Sequence, residues 1–375
     1  MFTSFLSRRK FSGLAAKSLA LGVALPALAA EAEASLPLGV PADAIQINAN
    51  ENPYGPSPRA LAAITRSEQV ASRYPSGVAE RLTDAIARFH SVRREQVAVG
   101  CGSTEILRAA DAAFLGPEKN VVVAEPTFEA VVGFSRVIRA QARKIPLTRD
   151  FRSDLRRMAA ACDAETGVVY VCNPNNPTGT IVTRAELDAF FGAVPAATVI
   201  LVDEAYFHFV SDRDYASAFT WLDRYPNLLI ARTFSKVYGL AGMRLGYGIG
   251  QPALIHRLRA NLLRNNTNAA VLPAALASLA DPDVVPRNRR LLNGTRDWLC
   301  AQLDKDRRRY IPSHANFVMI FLNRDVAPII EQFRARNILV GRKFPSLPEW
   351  LRVSIGTPAQ MQSFLAALRE IAPAV

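Results

Sequence analysis

The chain is poor in the residues that build metal centres and disulfide frameworks. Among its 375 residues are only four cysteines (Cys101, Cys162, Cys172 and Cys300) and four histidines. No cysteines form a C-x-x-C pair, and His90, His208, His256 and His314 are far apart, so no metal-ligand spacing is present. So large a chain cannot rest on disulfides either. A single Cys101–Cys172 bridge is open, because both residues follow predicted strands; the competing reading is buried free thiols. Internal repeats and low-complexity stretches are absent, which argues for a globular chain. The net charge of +12 is not gathered into a stripe or a nucleic-acid-binding motif. It reads as a solvated basic surface that helps an anionic substrate approach, with no nucleic-acid partner.

What is present begins with an address. Ser7-Arg8-Arg9-Lys10-Phe11 precedes an apolar run of 16 residues, Leu14 to Ala29, followed by small residues. This is the layout of a secretory signal, and the paired arginines resemble a twin-arginine leader. The run contains Gly22 and Pro26 and is short for a spanning helix, so no stable membrane insertion is expected. Residues 1–34 are therefore read as a twin-arginine signal of a periplasmic protein, with the cleavage point open among Ala29, Ala30, Ala32 and Ala34. That route exports folded proteins, which suits an enzyme loaded with a cofactor beforehand.

Half of the chain is hydrophobic, enough for two lobes. Residues 35–59, rich in proline and asparagine, read as an extended arm. Six short apolar runs then alternate with amphipathic segments: Val97–Val99, Val121–Ala124, Val168–Cys172, Val199–Val202, Leu228–Ala231 and Tyr247–Ile249. Unbroken apolar runs separated by helices are what parallel strands buried on both faces require. Residues 60–265 are thus an α/β lobe, and residues 266–375 a smaller α+β lobe with strands at Phe317–Phe321, Ile338–Val340 and Leu351–Ser354.

Four motifs fall where those strands end: Asn173-Pro174-Asn175-Asn176-Pro177-Thr178-Gly179, Asp203-Glu204-Ala205-Tyr206, Thr233-Phe234-Ser235-Lys236, and Arg244 in Gly242-Met243-Arg244-Leu245-Gly246. Each alone is an ordinary loop or turn. A carboxylate at a buried strand end, however, needs a cationic partner. Ligands of open α/β sheets bind outside the carboxyl ends of the strands. A lysine, an aspartate and hydroxyl, amide and guanidinium donors gathered there match the needs of pyridoxal 5′-phosphate (PLP).

In this order the motifs resemble the class I/II, fold-type-I PLP aminotransferases over essentially everything after the signal. Asn50-Glu51-Asn52-Pro53-Tyr54-Gly55, Arg73-Tyr74-Pro75 and Leu351-Arg352-Val353-Ser354-Ile355-Gly356-Thr357 narrow the resemblance to the histidinol-phosphate aminotransferase branch. The resemblance implies a mainly parallel seven-stranded sheet flanked by helices. It implies that Lys236 holds PLP as a Schiff base and carries the proton, and that Asp203 pairs with the ring nitrogen. Asn176 and Tyr206 would face the phenolic oxygen. Gly102, Ser103, Thr104, Ser235 and Arg244 would cradle the phosphate, although a helix start explains Ser103 equally well. Phe128 would stack on the ring or serve as core. Tyr74 would reach the neighbouring subunit's phosphate, implying a homodimer with shared sites. Arg352 would anchor substrate, with Tyr54 and Arg342 beside it. Arg342 departs from the pattern: the family arginine directly follows the strand, and here Gly341 intervenes.

The activity so implied is transamination between an amino acid or amino-alcohol phosphate and a 2-oxo acid such as 2-oxoglutarate. A PLP-dependent decarboxylase or lyase on the same fold is the alternative, and a non-catalytic binding protein is the third reading. Histidinol phosphate as substrate conflicts with export, because histidine synthesis is cytoplasmic.

Overall fold

Strand formation in the large lobe follows apolar continuity, and every residue of the central strands is buried. In this computed structural model, which describes residues 40–41, 43–75 and 77–373, seven strands form one sheet. They are β1 (Val97–Gly100), β2 (Asn120–Glu125), β3 (Gln141–Pro146), β4 (Thr166–Cys172), β5 (Val199–Asp203), β6 (Leu228–Thr233) and β7 (Gly246–Gly250). Their spatial order is β1-β7-β6-β5-β4-β2-β3. β7 runs antiparallel to both neighbours, and the other pairings are parallel. The expected mainly parallel seven-stranded sheet is what forms.

Register brings the strand ends together. Cys172 pairs with Asp203 and Asp203 with Ala231, so β4, β5 and β6 end in line. Thr233 and Gly100 both face Gly246, so β1 ends at the same edge although β7 lies between. Helices cover the sheet: α1 (Ser103–Phe114) buries Ile106, Leu107, Ala109, Ala110 and Phe114, at helical spacing, in a core shared with Val121, Val168, Leu201 and Leu229. α2 (Ala130–Val137) packs beside it.

Within the seven-stranded sheet, β3 is the strand that the sequence pattern did not show. It lies at the sheet edge and reads QARKIP, with exposed and half-buried positions, because an edge strand needs no continuous apolar run. The smaller lobe holds an antiparallel three-stranded sheet in which Phe317–Phe321 lies between Trp350–Ser354 and the short Tyr310–Ile311. Residues Gln46–Val375 form one compact unit, which contains every feature described below. The expected signal, residues 1–34, lies outside the described residues. No helix among the described residues is long and apolar enough to cross a membrane.

Candidate active site

The aligned strand ends open into a cavity of about 250 Å³. Across the sheet its wall carries, in order, Ser103 and Thr104 after β1, Ser235 and Lys236 after β6, Asp203 at the end of β5, and Asn176 after β4. Neighbouring strands are spaced ~4.8 Å. The amine is therefore one strand step from the carboxylate, and the hydroxyl donors lie on its other side.

Asp203 is 2% exposed. Its Oδ2 accepts from the Tyr170 hydroxyl at 3.0 Å and its Oδ1 from the Ala205 N–H at 3.1 Å. Burial nevertheless pushes its carboxyl up to about 6, against the opposing effect of those bonds. This is a carboxylate that gains from a cation placed against it. Tyr170 was not anticipated, although in β4 it lies two residues before Cys172 and so on the same face.

Lys236 is half-buried, and its Nζ donates to the Ala49 carbonyl at 3.2 Å and lies 5.6 Å from the Tyr206 ring centre. Burial lowers its amine to about 8, with the Arg352 and Arg244 charges acting in the same direction. Tyr206 accepts from Asn50 Nδ2 at 3.0 Å and from Asn176 Nδ2 at 3.4 Å, and burial raises its phenol. Asn50 stands in the quoted arm motif but was given no site role there, since its contact lies 156 residues away.

The hydroxyl end is shaped by backbone. Gly102, with φ +77°, caps α1, and a Cβ there would collide with the Arg244 guanidinium. Arg244 itself adopts φ +59° and donates to the Ala241 carbonyl at 2.8 Å. Thr233 Oγ1 accepts from the Ser235 N–H at 3.0 Å and donates to Ser235 Oγ at 2.9 Å, fixing the turn. The start of α1 adds free N–H groups and a positive dipole end, so this end suits an anion.

The outer wall is made by Phe128, Glu129, Arg342, Phe344 and Arg352. Phe128 serves both readings, lining the cavity while packing on the main core. Arg352 is 9% exposed; its Nη1 donates to Asn176 Oδ1 and its Nη2 to the Asn48 carbonyl, each at 2.8 Å. Its Nε is buried without a hydrogen-bond partner among the described residues. Arg342 is brought to the same wall despite Gly341, for a steric reason. A Cβ at Gly341 would lie 2.6 Å from the Arg352 carbonyl oxygen, so no side chain fits there.

Neither Tyr54 nor Tyr74 is among the residues that line this cavity. Tyr54 sits in a tight turn, its N–H bonded to Asn52 Oδ1 at 3.0 Å. Tyr74 is 77% exposed. Cys101 and Cys172 are free thiols. Among the described residues, no group of three or more His, Cys, Asp or Glu is placed to hold a metal.

Comparison with known proteins agrees with this geometry. Residues 42–368 match the family model described as aminotransferase class I and II. A histidinol-phosphate aminotransferase of Moorella thermoacetica is 38% identical, covering 88% of this chain and 86% of that protein. The crystal structure of histidinol-phosphate aminotransferase from Sinorhizobium meliloti, in complex with pyridoxal-5′-phosphate, superposes with a TM-score of 0.82 at 27% identity, over 88% of this chain and 90% of that one. The crystal structure of L-threonine-O-3-phosphate decarboxylase from Porphyromonas gingivalis shares the fold alone, at 21% identity and a TM-score of 0.75 over 87% of this chain and 98% of that one. With a family model spanning nearly all of the described residues, the chain belongs to the class I and II aminotransferases.

Proposed function

We propose that the chain is a PLP-dependent transaminase, moving an amino group between an amino acid or amino-alcohol phosphate and a 2-oxo acid such as 2-oxoglutarate. The observation that carries this is the placement of Lys236 one strand step from the buried Asp203, with Ser235 beside it and the Ser103, Thr104 and Arg244 donors on its other side. The residues fit PLP: a desolvated carboxylate lacking a full counter-charge, an amine lowered towards neutrality, and an Arg244 guanidinium so close to the start of α1 that a Cβ at Gly102 would collide with it.

PLP supplies a carbonyl for the donor amine and a ring that accepts the electron pair left at the donor α-carbon. In this reading Lys236 would hold the cofactor covalently, and its Nζ, once free, would take the proton from the donor α-carbon. Asp203 would keep a proton on the ring nitrogen, Tyr206 and Asn176 would donate to the phenolic oxygen, and Phe128 would pack on the ring. Arg352 presents its guanidinium to the carboxylate or phosphate of the substrate, with Arg342 beside it. Tyr74, exposed on this chain, would complete the site of a second copy in a homodimer. The leader at residues 1–34 supports delivery to the periplasm by the twin-arginine route, and such a location favours an amine other than histidinol phosphate.

A panel of amino donors with 2-oxoglutarate and the purified holoenzyme tests the assignment. The expected result is a keto product and an equivalent of glutamate without carbon dioxide. Carbon dioxide released in step with donor loss would replace transamination by decarboxylation.

A further inference from the structure

Arg342 and Glu129 meet across the mouth of the cavity. Arg342 Nη2 donates to Glu129 Oε2 at 2.5 Å, joining the residue before α2 to the loop after Val340. The two side chains are 53% and 58% exposed, and both line the cavity. The guanidinium is held from behind: Nη1 donates to the Lys343 carbonyl at 3.1 Å, and its carbon lies 4.3 Å from the Phe344 ring centre. Arg352 lies 5.1 Å from the centre of the same ring, so one phenylalanine seats both arginines. Among the described residues, two carboxylates line this cavity, Asp203 and Glu129. Asp203 is buried and engaged by Tyr170, which leaves Glu129 as the carboxylate open to solvent at the mouth.

We propose that Glu129 is a specificity-determining residue, a built-in carboxylate that occupies Arg342 and competes with the second carboxylate of a dicarboxylate substrate. The inference rests on the transaminase reading above. A ligand with one carboxylate engages Arg352 and leaves the mouth pair intact. A ligand with two reaches Arg342 only by displacing Glu129 into solvent. Because the pair is half exposed, the competition is modest, amounting to roughly two- to five-fold in affinity. Glu129 thereby narrows the preference for dicarboxylates that two adjacent arginines would otherwise impose.

Calorimetric titration of the holoenzyme with glutarate and with butyrate tests this, since neither carries a reacting amine or keto group. Glu129→Gln is expected to tighten glutarate roughly two- to five-fold and leave butyrate unchanged. Arg342→Gln is expected to weaken glutarate and to abolish the effect of Glu129→Gln in the double variant. A Glu129→Gln protein with unchanged glutarate affinity, or with equal gains for both ligands, overturns the proposal. Absence of amino transfer by the unmodified enzyme with pyruvate or 2-oxoglutarate bears on the transaminase reading alone, because the binding comparison needs no turnover.

Discussion

Arg352 Nη1 donates to Asn176 Oδ1 at 2.8 Å, so the arginine of the outer wall and the amide at the end of β4 are fixed by one bond. The second amino group is engaged by the Asn48 carbonyl, while Nε is buried with no hydrogen-bond partner among the described residues. A guanidinium so held is pre-oriented, with donor capacity left for a ligand.

Arg352→Ala should therefore raise the KM for the amino donor at least tenfold, since truncating one partner of a buried charged pair costs about 2–5 kcal/mol. It should also shift the cofactor absorbance, because Asn176 loses its partner. Steady-state kinetics and a spectrum of the variant check both, and an unchanged KM would remove the anchor role.

Lys236 sets a pH dependence for cofactor loading. Its amine, lowered to about 8, is protonated below that pH and nucleophilic above it. The rate of PLP capture by apoenzyme should rise about tenfold per pH unit up to that value and then level off, as a single deprotonation requires. Stopped-flow absorbance reads it. A plateau reached only near pH 10 would show that burial does not lower this amine.

Gly341 tests why the wall arginine sits one residue late. Its N–H donates to the Arg352 carbonyl at 2.9 Å, and a Cβ would lie 2.6 Å from that oxygen. Gly341→Ala should destabilise the fold by about 1–3 kcal/mol, as overpacking does. Thermal unfolding measures it, and an unchanged Tm would show that the loop has room.

Asp111 on α1 is 1% exposed, and neither carboxylate oxygen has a hydrogen-bond partner among the described residues. Burial pushes it up to about 8 from the usual 3.8. Between those values the folded state keeps a proton that the unfolded state has lost, so stability falls as pH rises through the window. Asp111→Asn should raise Tm at pH 8.5, with the gain shrinking towards pH 4. A gain independent of pH would contradict the titration.

The strand ends were legible because strands buried on both faces must be continuously apolar, and a Lys, Asp or Asn directly after such a run stands out. The edge strand β3 was hidden by its own charges, and Tyr310–Ile311 by its length. Partnerships between distant segments left no local trace. Asn50 meets Tyr206 156 residues away and Arg342 meets Glu129 213 residues away, contacts that exist only once the chain is folded.

The central claim, that Lys236 is the amine that holds the cofactor and moves the proton, is tested by Lys236→Ala in the purified protein supplied with PLP. The account predicts a folded protein that binds PLP without the visible absorbance of the lysine-linked form and shows no detectable transamination. Retention of that absorbance, or of wild-type turnover, would contradict it.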